Sequence, residues 1–363
     1  MHIVSVVGAR PNFVKIAPIA RTIAKKEGIK HTIIHTGQHY DETMSAAFFQ
    51  TLEIPEPSLN LNVGPGSHGD QTGRIMMKIE PVLQEIQPDW VITVGDVNST
   101  VAASLVSVKL GIKTAHVEAG LRSFDRTMPE EINRLVTDTI SDALFVTEQS
   151  GLDNLCKEGI PQEKTYFVGN VMIDSLVYLL PQLKQAQSWK EFGLKKGQYI
   201  LVTLHRPTNV DLEEPLSQLV KALQKLSMSL PVLFPVHPRT RKQLENFGLW
   251  SCLMEESNIV SVKPLDYFRF LSLVLGAKLL LTDSGGIQEE TTYLGIPCLT
   301  LRPNTERPVT LDLGTNQLVK SELSAIMESF NRIDQGNWNK GTIPPLWDGR
   351  TAERIIDILI EIM

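Results

Sequence analysis

Short apolar segments alternate with helix-like segments along the first half of the chain. Runs of aliphatic and β-branched residues predict buried strands, and they occur at residues 3–7, 31–35, 90–94, 114–117, 143–146 and 166–168. The stretches between them carry apolar residues at helical spacing, beginning with residues 14–26. Strands that alternate with helices in this way predict a parallel, doubly wound α/β sheet.

The same alternation returns after a helical stretch rich in lysine and glutamine, residues 172–196. Further apolar runs occur at residues 199–204, 232–235, 259–262, 279–281 and 298–301, and residues 350–363 predict a closing helix. The sequence therefore predicts an α/β protein with two Rossmann-like doubly wound domains facing a central cleft. The predicted domains are residues 1–171, joined by the closing helix, and residues 172–349.

Glycine and polar residues gather where the predicted strands end. In the first domain these segments are Gly8-Ala9-Arg10, Gly37-Gln38-His39, Gly95-Asp96, Glu118-Ala119-Gly120 and Gly169-Asn170; in the second they are His205-Arg206, His237-Pro238-Arg239, Asp283-Ser284-Gly285-Gly286 and Arg302. Open α/β sheets bind their ligands at the carboxyl ends of the strands. We therefore expect a ligand site at this edge of each sheet.

The densest charged cluster lies in residues 116–134, where four carboxylates and three arginines follow one strand. The segment enters a helix through Thr127 and Pro129, which are helix-start signals. Thr127 and Glu130 match a capping box, so Glu130 is either a helix cap or an acid that takes part in chemistry. Glu118 directly follows the apolar strand and precedes a glycine turn, and is the better candidate for a functional acid.

Residues 281–290 predict a strand, a glycine turn and the start of a helix. Gly285 and Gly286 expose backbone N–H groups, Ser284 adds a hydroxyl, and the helix N-terminus adds positive potential, which together form a seat for a diphosphate. Arg302 and Arg307 follow downstream as cations for that group. A plain turn that only connects two elements is the alternative.

Other polar residues extend this interpretation. His205 ends a buried strand, where it is a structural histidine, an acid or a phosphate-binding group. Glu290 is either a solvated acid or an acceptor for sugar or ribose hydroxyls. Asp96 and Glu118 end strands of the first domain. Acids from one domain and phosphate donors from the other suit a reaction that moves a proton on a sugar while a diphosphate leaves.

Composition narrows the class of protein. The 363 residues are 42% hydrophobic, which suits about two globular domains. The 35 basic and 41 acidic residues give a net charge of −6, which argues against nucleic-acid partners and anionic membranes. The odd number of widely spaced cysteines, three in all, predicts neither a disulfide framework nor a zinc pair and favours the cytoplasm. Lys278 interrupts the apolar run 271–281 well short of a membrane span.

The motifs also argue against bound cofactors. The first strand ends in Gly8-Ala9-Arg10-Pro11 and not in G-x-G-x-x-G. Pro11 lacks the backbone donor that a dinucleotide pyrophosphate needs there. No D-x-D or H-E-x-x-H motif occurs. We therefore predict neither a nicotinamide cofactor nor a metal ion.

Eight motifs follow one another along nearly the whole chain. They are Gly8-Ala9-Arg10-Pro11, Gly37-Gln38-His39, Gly95-Asp96, His116-Val117-Glu118-Ala119-Gly120-Leu121-Arg122, Pro129-Glu130-Glu131-Ile132-Asn133-Arg134, Leu204-His205-Arg206, Asp283-Ser284-Gly285-Gly286-Ile287-Gln288-Glu289-Glu290 and Thr305-Glu306-Arg307-Pro308. In this order they resemble the non-hydrolysing UDP-N-acetylglucosamine 2-epimerases. The resemblance implies a GT-B-like pair of Rossmann domains, a homodimer, and interconversion of UDP-N-acetylglucosamine with UDP-N-acetylmannosamine.

The resemblance also implies a mechanism and roles for individual residues. UDP is eliminated across C1–C2 to form 2-acetamidoglucal and is then added back, with the proton on the opposite face of C2. The implied acid/base carboxylates are Asp96, Glu118 and Glu130, with His205 as the catalytic histidine near the diphosphate. The implied contacts with the nucleotide sugar are Arg10, Lys15, Arg134, Phe270 near the uracil, Ser284, Gly285, Gly286, Glu290 and Arg307.

Three other functions remain open at this point. Residues 8–13 and 67–73 also resemble relatives that epimerise UDP-2,3-diacetamido-2,3-dideoxyglucuronate, so a modified sugar is an alternative substrate. A GT-B glycosyltransferase would use a similar pair of domains, but it does not require carboxylates on both sides of C2. A sugar-nucleotide sensor would bind UDP without turnover, which the number of acids makes the weakest of the three.

Overall fold

The apolar runs of the first half form one parallel sheet in the structure. The structure is a computed structural model, and it describes residues 1–38, 46–255 and 258–363, without the side chains of residues 46–48. Its seven strands within the described residues are in the order β3-β2-β1-β4-β5-β6-β7. They are β1 (His2–Val7), β2 (Lys30–His35), β3 (Leu59–Asn60), β4 (Trp90–Val94), β5 (Lys113–Ala119), β6 (Ala143–Val146) and β7 (Thr165–Phe167). The order reverses direction between β1 and β4, which is the position where doubly wound sheets bind ligands.

The apolar runs of the second half form a second parallel sheet. Its six strands within the described part of the chain are in the order β10-β9-β8-β11-β12-β13. They are β8 (Ile200–Thr203), β9 (Val232–Pro235), β10 (Ile259–Val262), β11 (Leu279–Thr282), β12 (Cys298–Thr300) and β13 (Asn316–Leu318). Strands β8 and β11 pair directly although they are far apart in sequence, so this sheet also has a point where the order reverses.

Helices cover the sheets because strands buried on both faces need apolar cover. They are α1 (Arg10–Ile23), α2 (Ala46–Leu52), α3 (His68–Ile86), α4 (Asn98–Lys109), α5 (Pro129–Ile140), α6 (Gln149–Lys157), α7 (Val171–Ala186), α8 (Pro207–Val210), α9 (Glu213–Ser227), α10 (Pro238–Asn246), α11 (Leu249–Met254), α12 (Tyr267–Gly276), α13 (Ile287–Leu294), α14 (Val309–Asp312), α15 (Leu323–Asp334) and α16 (Thr351–Glu361). Short 3₁₀ turns lie at Gln162–Lys164 and Ser188–Phe192.

The chain divides into two units, each built on one sheet. The first unit is Met1–Tyr178 with Pro345–Met363, and the second is Leu179–Pro344. The division falls inside α7, later than the predicted boundary after residue 171. The closing helix α16 belongs to the first unit, where the Asp174 carboxylate accepts hydrogen bonds from the backbone N–H groups of Thr351 (3.1 Å) and Ala352 (2.7 Å).

The predicted fold class, two parallel doubly wound sheets with interleaved helices, is confirmed. Every predicted strand is present, with ends that differ by at most two residues. Strands β3 and β13 were missed because they are short and begin or end in polar residues. In the described part of the chain, no helix combines the length and the apolar character needed to cross a bilayer.

Candidate active site

Glu118 occupies a β-bulge at the carboxyl end of β5. The pairing of β5 with β6 shifts register between Val117 and Ala119, and the Glu118 backbone has a φ of +72°. Glutamate is uncommon in this left-handed region, and bulges re-aim side chains at strand ends. We expected the strand to end at Val117. Its continuation to Ala119 places Glu118 inside the strand, where the Glu118 side chain is only 2% exposed.

The Glu118 carboxylate forms an ion pair with Lys15 of α1. Lys15 Nζ donates to Glu118 Oε2, and both side chains are largely buried. The backbone of Gly95, just after β4, lies against this pair: a methyl group on Gly95 would be 2.9 Å from Lys15 Nζ and 3.3 Å from Glu118 Oε2. Gly95 also has a φ of +68°, which favours glycine. The structure therefore brings together two predicted site residues, Lys15 and Glu118.

Asp96 follows β4 and is held by two residues of α5. Arg134 Nη1 donates to Asp96 Oδ2 at 2.5 Å, and Asn133 Nδ2 donates to the Asp96 carbonyl oxygen at 2.8 Å. The Asp96 side chain is 30% exposed, whereas that of Arg134 is 3% exposed. The guanidinium thus fixes one carboxylate oxygen while the acid remains accessible to solvent. The implied contact of Arg134 with a nucleotide sugar stays a prediction.

Helix α5 begins differently from the prediction. Its N-cap is Met128, without a side-chain cap, and the Thr127 hydroxyl donates to Asp125 Oδ1 at 2.6 Å. The capping box predicted between Thr127 and Glu130 is therefore wrong, because Asp125 takes the hydroxyl and the helix begins one residue later. Glu130 stays a candidate for chemistry.

Glu131 is the acid that this helix buries. Its carboxylate accepts from the backbone N–H groups of Ser123 (2.9 Å) and Phe124 (3.0 Å) and from Arg134 Nη2 at 2.6 Å. Burial alone would raise the pKa of Glu131, but hydrogen bonds from Ser123 and Arg134 bring it below its usual value. Arg134 is therefore a fixed bridge between Glu131 and Asp96.

A cavity of about 270 Å³ opens beside Asp96 in the first unit. Glu130 lines it together with Asp96, and the polar side chains of His68 and Gln71 form part of its wall. Two of the predicted catalytic acids therefore share one cavity at the carboxyl edge of the sheet. His39, from the polar segment predicted after β2, lies outside the described residues.

His116 and Asp138 form a buried network behind these acids. His116 Nδ1 lies 2.6 Å from Asp138 Oδ1, and His116 Nε2 lies 2.8 Å from the Gly95 carbonyl oxygen. The second oxygen of Asp138 accepts from the Gly120 N–H at 3.0 Å and pairs with Arg122 Nη1 at 2.7 Å. Burial alone would raise the pKa of Asp138, but His116 and Arg122 hold it below its usual value.

Arg10 begins α1 at the same edge of the sheet, and the turn before it is fixed by Asn12. Asn12 Oδ1 accepts from the backbone N–H groups of Gly8 (3.1 Å) and Ala9 (3.0 Å). Its Nδ2 donates to the Val94 carbonyl oxygen at 3.2 Å. The turn after β1 is thus tied to the end of β4, the strand that precedes Asp96.

In the second unit, Ser284 lies in the turn between β11 and α13. Its backbone N–H donates to Thr282 Oγ1 at 3.0 Å, and Gly286 is the N-cap of α13. The first turn of α13 therefore presents N–H groups and positive potential next to the turn. This arrangement has the form expected of an anion seat.

Gly285 lies over a buried cluster of arginine and glutamate side chains. A methyl group on Gly285 would be 2.7 Å from Glu306 Oε1, 3.3 Å from Arg307 Nη1 and 3.4 Å from Arg302 Nη1. Glu306 pairs with Arg302 at 3.0 Å and with Arg307 at 2.6 Å, and Arg307 Nε lies 2.7 Å from Glu289 Oε1. Both predicted cations, Arg302 and Arg307, are therefore next to the predicted seat.

His205 is oriented by Asp283, a partner that the sequence did not reveal. His205 Nδ1 lies 2.8 Å from Asp283 Oδ1, and the backbone N–H groups of His205 (3.0 Å) and Arg206 (2.9 Å) donate to Asp283 Oδ2. Burial alone would raise the pKa of Asp283, but these hydrogen bonds bring it below its usual value. The His205 side chain is 43% exposed while that of Asp283 is fully buried, so the carboxylate fixes a ring that solvent still reaches.

Glu290, in the first turn of α13, is buried beside Tyr267. The Tyr267 hydroxyl lies 2.8 Å from Glu290 Oε1. Burial raises the pKa of Glu290 to about 8, with a further contribution from Glu289 and an opposing one from Tyr267. The predicted uracil contact, Phe270, is on α12 with Tyr267 and packs against the apolar core of the second unit. Tyr267 is thus a neighbour of two predicted site residues.

Comparison with known proteins decides the family. The model of the family described as "UDP-N-acetylglucosamine 2-epimerase" matches residues 21–360. The chain belongs to this family. A Methanococcus maripaludis protein named UDP-N-acetylglucosamine 2-epimerase is 43% identical over 361 residues, covering 98% of this chain and 97% of that protein. The resemblance inferred from the eight motifs is thereby confirmed.

Two further relatives bear on fold and substrate. The crystal structure of the Methanocaldococcus jannaschii UDP-GlcNAc 2-epimerase in complex with UDP-GlcNAc and UDP is similar with a TM-score of 0.90 and 41% identity, covering 99% of this chain and all of that one. A Pseudomonas aeruginosa protein named UDP-2,3-diacetamido-2,3-dideoxy-D-glucuronate 2-epimerase is 40% identical over 365 residues, covering 100% of both chains. The fold of the family and both sugars considered above are represented among the relatives.

Sequence reasoning missed the residues that hold the candidate acids and the histidine. They are His116, Glu131, Asp138, Tyr267 and Asp283. The signal available for His116 is a histidine inside the apolar run of β5, and for Asp283 a carboxylate directly after the apolar run of β11, because buried polar groups need partners. Nothing in the sequence identifies those partners.

In the described part of the chain, no group of three or more His, Cys, Asp and Glu side chains is arranged to hold a metal ion. All three cysteines are free thiols, Cys156 and Cys252 exposed and Cys298 buried.

The buried carboxyl of Glu290 predicts a pH-dependent stability. Its pKa is raised from the ordinary value of 4.5 to about 8, so between these values the folded protein holds one more proton than the unfolded chain. The contribution of Glu290 to the free energy of unfolding therefore falls as pH rises through this window, by on the order of 5 kcal/mol. Glu290→Gln, which resembles the protonated acid, is expected to remove most of this fall. Urea unfolding at several pH values measures it.

Glu353→Gln is the matched control. Glu353 lies on α16, is exposed to solvent and pairs with Arg350, so the same substitution here changes no buried carboxyl. This variant should follow the pH dependence of the wild type. If Glu290→Gln and the wild type lose stability in parallel between about pH 5 and pH 8, Glu290 is not the group responsible.

Proposed function

We propose that this chain interconverts UDP-N-acetylglucosamine and UDP-N-acetylmannosamine by reversible epimerisation at C2. The observation that carries the proposal is a pair of acids at the carboxyl ends of adjacent strands, each held by a cation. Glu118 pairs with Lys15 and Asp96 pairs with Arg134. Full-length similarity to relatives that are named for this activity supports the same reaction.

The chemistry requires a leaving group because C2 of the sugar has no neighbouring carbonyl to acidify its hydrogen. Loss of the C2 proton to a protein base, with cleavage of the C1–O bond, gives 2-acetamidoglucal and UDP. Addition of UDP to C1 and of a proton to the opposite face of C2 gives the epimer. The two steps balance without an oxidant, a reductant or a metal ion, so no cofactor is needed.

We assign the proton transfers to the first unit. Asp96, Glu118 and Glu130 are the candidate acids and bases, since positioned carboxylates near the reacting carbon are suited to general acid/base catalysis. Lys15 and Arg134 hold two of these groups in place. Arg10, at the first turn of α1, is assigned to the nucleotide sugar.

We assign the nucleotide to the second unit. The expected partners of the diphosphate are the N–H groups of Gly285 and Gly286, the Ser284 hydroxyl and the side chain of Arg307. We assign His205, oriented by Asp283, to the diphosphate oxygen that leaves C1. Glu290 would bind hydroxyls and Phe270 the uracil.

The test is incubation with UDP-N-acetylglucosamine in deuterated water. Epimerisation must place deuterium at C2, which mass spectrometry and proton NMR detect in both epimers. A glycosyltransferase need not exchange this hydrogen, and a sensor would bind UDP without turnover. Absence of C2 exchange and of a new epimer, with an enzyme that still binds UDP, would overturn the proposal.

A modified sugar is the second candidate substrate. The observation in its favour is the Pseudomonas aeruginosa relative, which is nearly as similar as the archaeal ones and is named for UDP-2,3-diacetamido-2,3-dideoxy-D-glucuronate. The same deuterium assay with both nucleotide sugars decides between them. The sugar with the higher kcat/KM is the better substrate.

The location and assembly belong to the same proposal. We infer a cytoplasmic homodimer from the resemblance to the family, with a UDP-sugar as the substrate and with neither nucleic acid nor a membrane as a partner. Sedimentation velocity at micromolar concentration measures the assembly.

A further inference from the structure

His116 is a fully buried histidine whose two ring nitrogens both face acceptors. Nδ1 lies 2.6 Å from a carboxylate oxygen of Asp138 and Nε2 lies 2.8 Å from the carbonyl oxygen of Gly95. Neither acceptor can donate a proton when Asp138 is ionised, so both contacts are hydrogen bonds only when both ring nitrogens carry protons. The geometry therefore describes an imidazolium that donates in two directions.

The charges around this ring compensate one another. Asp138 contacts His116 and Arg122, and Arg122 also pairs with Glu158 through two hydrogen bonds of 2.8 and 2.7 Å. Two cations and two carboxylates thus form one network, three of whose four side chains are almost completely buried. A fully partnered network of this kind is rigid, because each group is costly to leave unpaired.

The network ends at the backbone segments that carry the two candidate acids. Gly95 immediately precedes Asp96, and its carbonyl lies beyond the last β4–β5 ladder pair, Val94 with Val117. On the other strand, the Gly120 N–H donates to Asp138 at 3.0 Å. One histidine–aspartate pair therefore fixes the chain on the carboxyl side of both strands.

Stability alone does not explain this pair. Buried ion pairs seldom stabilise a fold more than well-packed apolar residues of similar size, because both charges lose their hydration. What the pair supplies is a defined position for the Gly95 carbonyl and the Gly120 amide. The neighbouring contacts act on the same segment, since Asn133 holds the Asp96 carbonyl and Arg134 its side chain.

We propose that His116 is a positioning residue for the C2 chemistry: its Nε2–H holds the Gly95 carbonyl and thereby fixes Asp96 relative to Glu118. The proposal rests on the epimerase function proposed above. His116 does not touch the sugar and transfers no proton; it acts through the Gly95–Asp96 segment. Asp138 keeps the imidazole oriented for this task.

Two amide variants separate the two hydrogen bonds of His116. The side-chain amide of asparagine occupies the position of Nδ1, so His116→Asn keeps a donor to Asp138 and loses the bond to Gly95. The longer glutamine places its amide near Nε2, so His116→Gln keeps a donor to Gly95 and loses the bond to Asp138. Both variants lose the charge and one hydrogen bond, which makes each the control for the other.

We expect His116→Asn to lower kcat by about 10–100-fold, as loss of a group that orients a site residue does, with little change in KM. The kcat of His116→Gln should be at least about tenfold higher than that of His116→Asn. Both variants should nevertheless melt at similar temperatures. Deuterium incorporation at C2 should fall in parallel with kcat. Melting curves also show whether each variant is folded.

The outcomes distinguish this inference from the function on which it rests. If the wild type exchanges deuterium at C2 but the two variants lose kcat equally, or lose affinity instead of rate, the positioning role is overturned and the epimerase function stands. If the wild type shows no exchange, the function falls and the inference with it. In protein with ¹⁵N-labelled histidine rings, only one N–H at His116 would also contradict the proposed imidazolium.

Discussion

Replacing Asp96 by asparagine is expected to lower the rate of epimerisation by at least ~100-fold, the usual loss when a positioned acid or base is removed. Asparagine keeps the size of the side chain and can still accept from Arg134, but it cannot take up a proton. Binding of UDP should be unchanged, because the contacts assigned to the nucleotide are in the second unit. Initial rates and calorimetric titration with UDP measure the two quantities.

Asp142→Asn is the matched control. Asp142 lies at the amino end of the same sheet, where its carboxylate accepts from the Thr114 N–H at 2.9 Å. The substitution is chemically identical but falls at the opposite end of β5. A rate near that of the wild type for Asp96→Asn, or an equal loss for Asp142→Asn, would remove Asp96 from the mechanism.

Glu118→Gln should have an effect of the same order, a loss of at least ~100-fold in interconversion. Glutamine can accept a hydrogen bond from Lys15 but cannot act as a base. The experiment also asks which face of C2 Glu118 serves. If it serves one face only, deuterium exchange into one epimer should persist while conversion to the other stops.

Glu163→Gln is a suitable control for the second experiment, since Glu163 is an exposed glutamate in the 3₁₀ turn Gln162–Lys164. It should leave both exchange and interconversion unchanged. Interconversion by Glu118→Gln close to the wild-type rate would show that the buried Lys15–Glu118 pair has a role in folding and none in chemistry.

Much of the fold was predictable because strands buried on both faces must be continuous apolar runs. The run 90–94 and the run 143–146 became β4 and β6 without a change of boundary. The two-residue strand β3 is exposed and has no such run, so its pairing with β2 depends on tertiary structure alone. The division of the chain falls inside α7, and a continuous helix gives no local sign of a change of unit.

The candidate site was predictable in its residues and not in its contacts. The acids Asp96 and Glu118 were found because they lie where apolar strands were predicted to end. Lys15 and Arg134 were predicted as contacts with the nucleotide sugar, but their pairing with these acids was not, because they are 103 and 38 positions away along the chain. The capping box failed for a local reason: Asp125 competes for the Thr127 hydroxyl, and sequence spacing does not register such competition.

The backbone of Glu118 has a consequence for how the protein responds to selection. Its φ of +72° costs an L-residue roughly 1–2 kcal/mol that glycine would not lose. Glycine would also remove the carboxylate that pairs with Lys15, and breaking a largely buried ion pair of this kind costs about 3–5 kcal/mol. A screen for heat resistance alone should therefore retain a residue that pairs with Lys15 here, although the backbone by itself favours glycine.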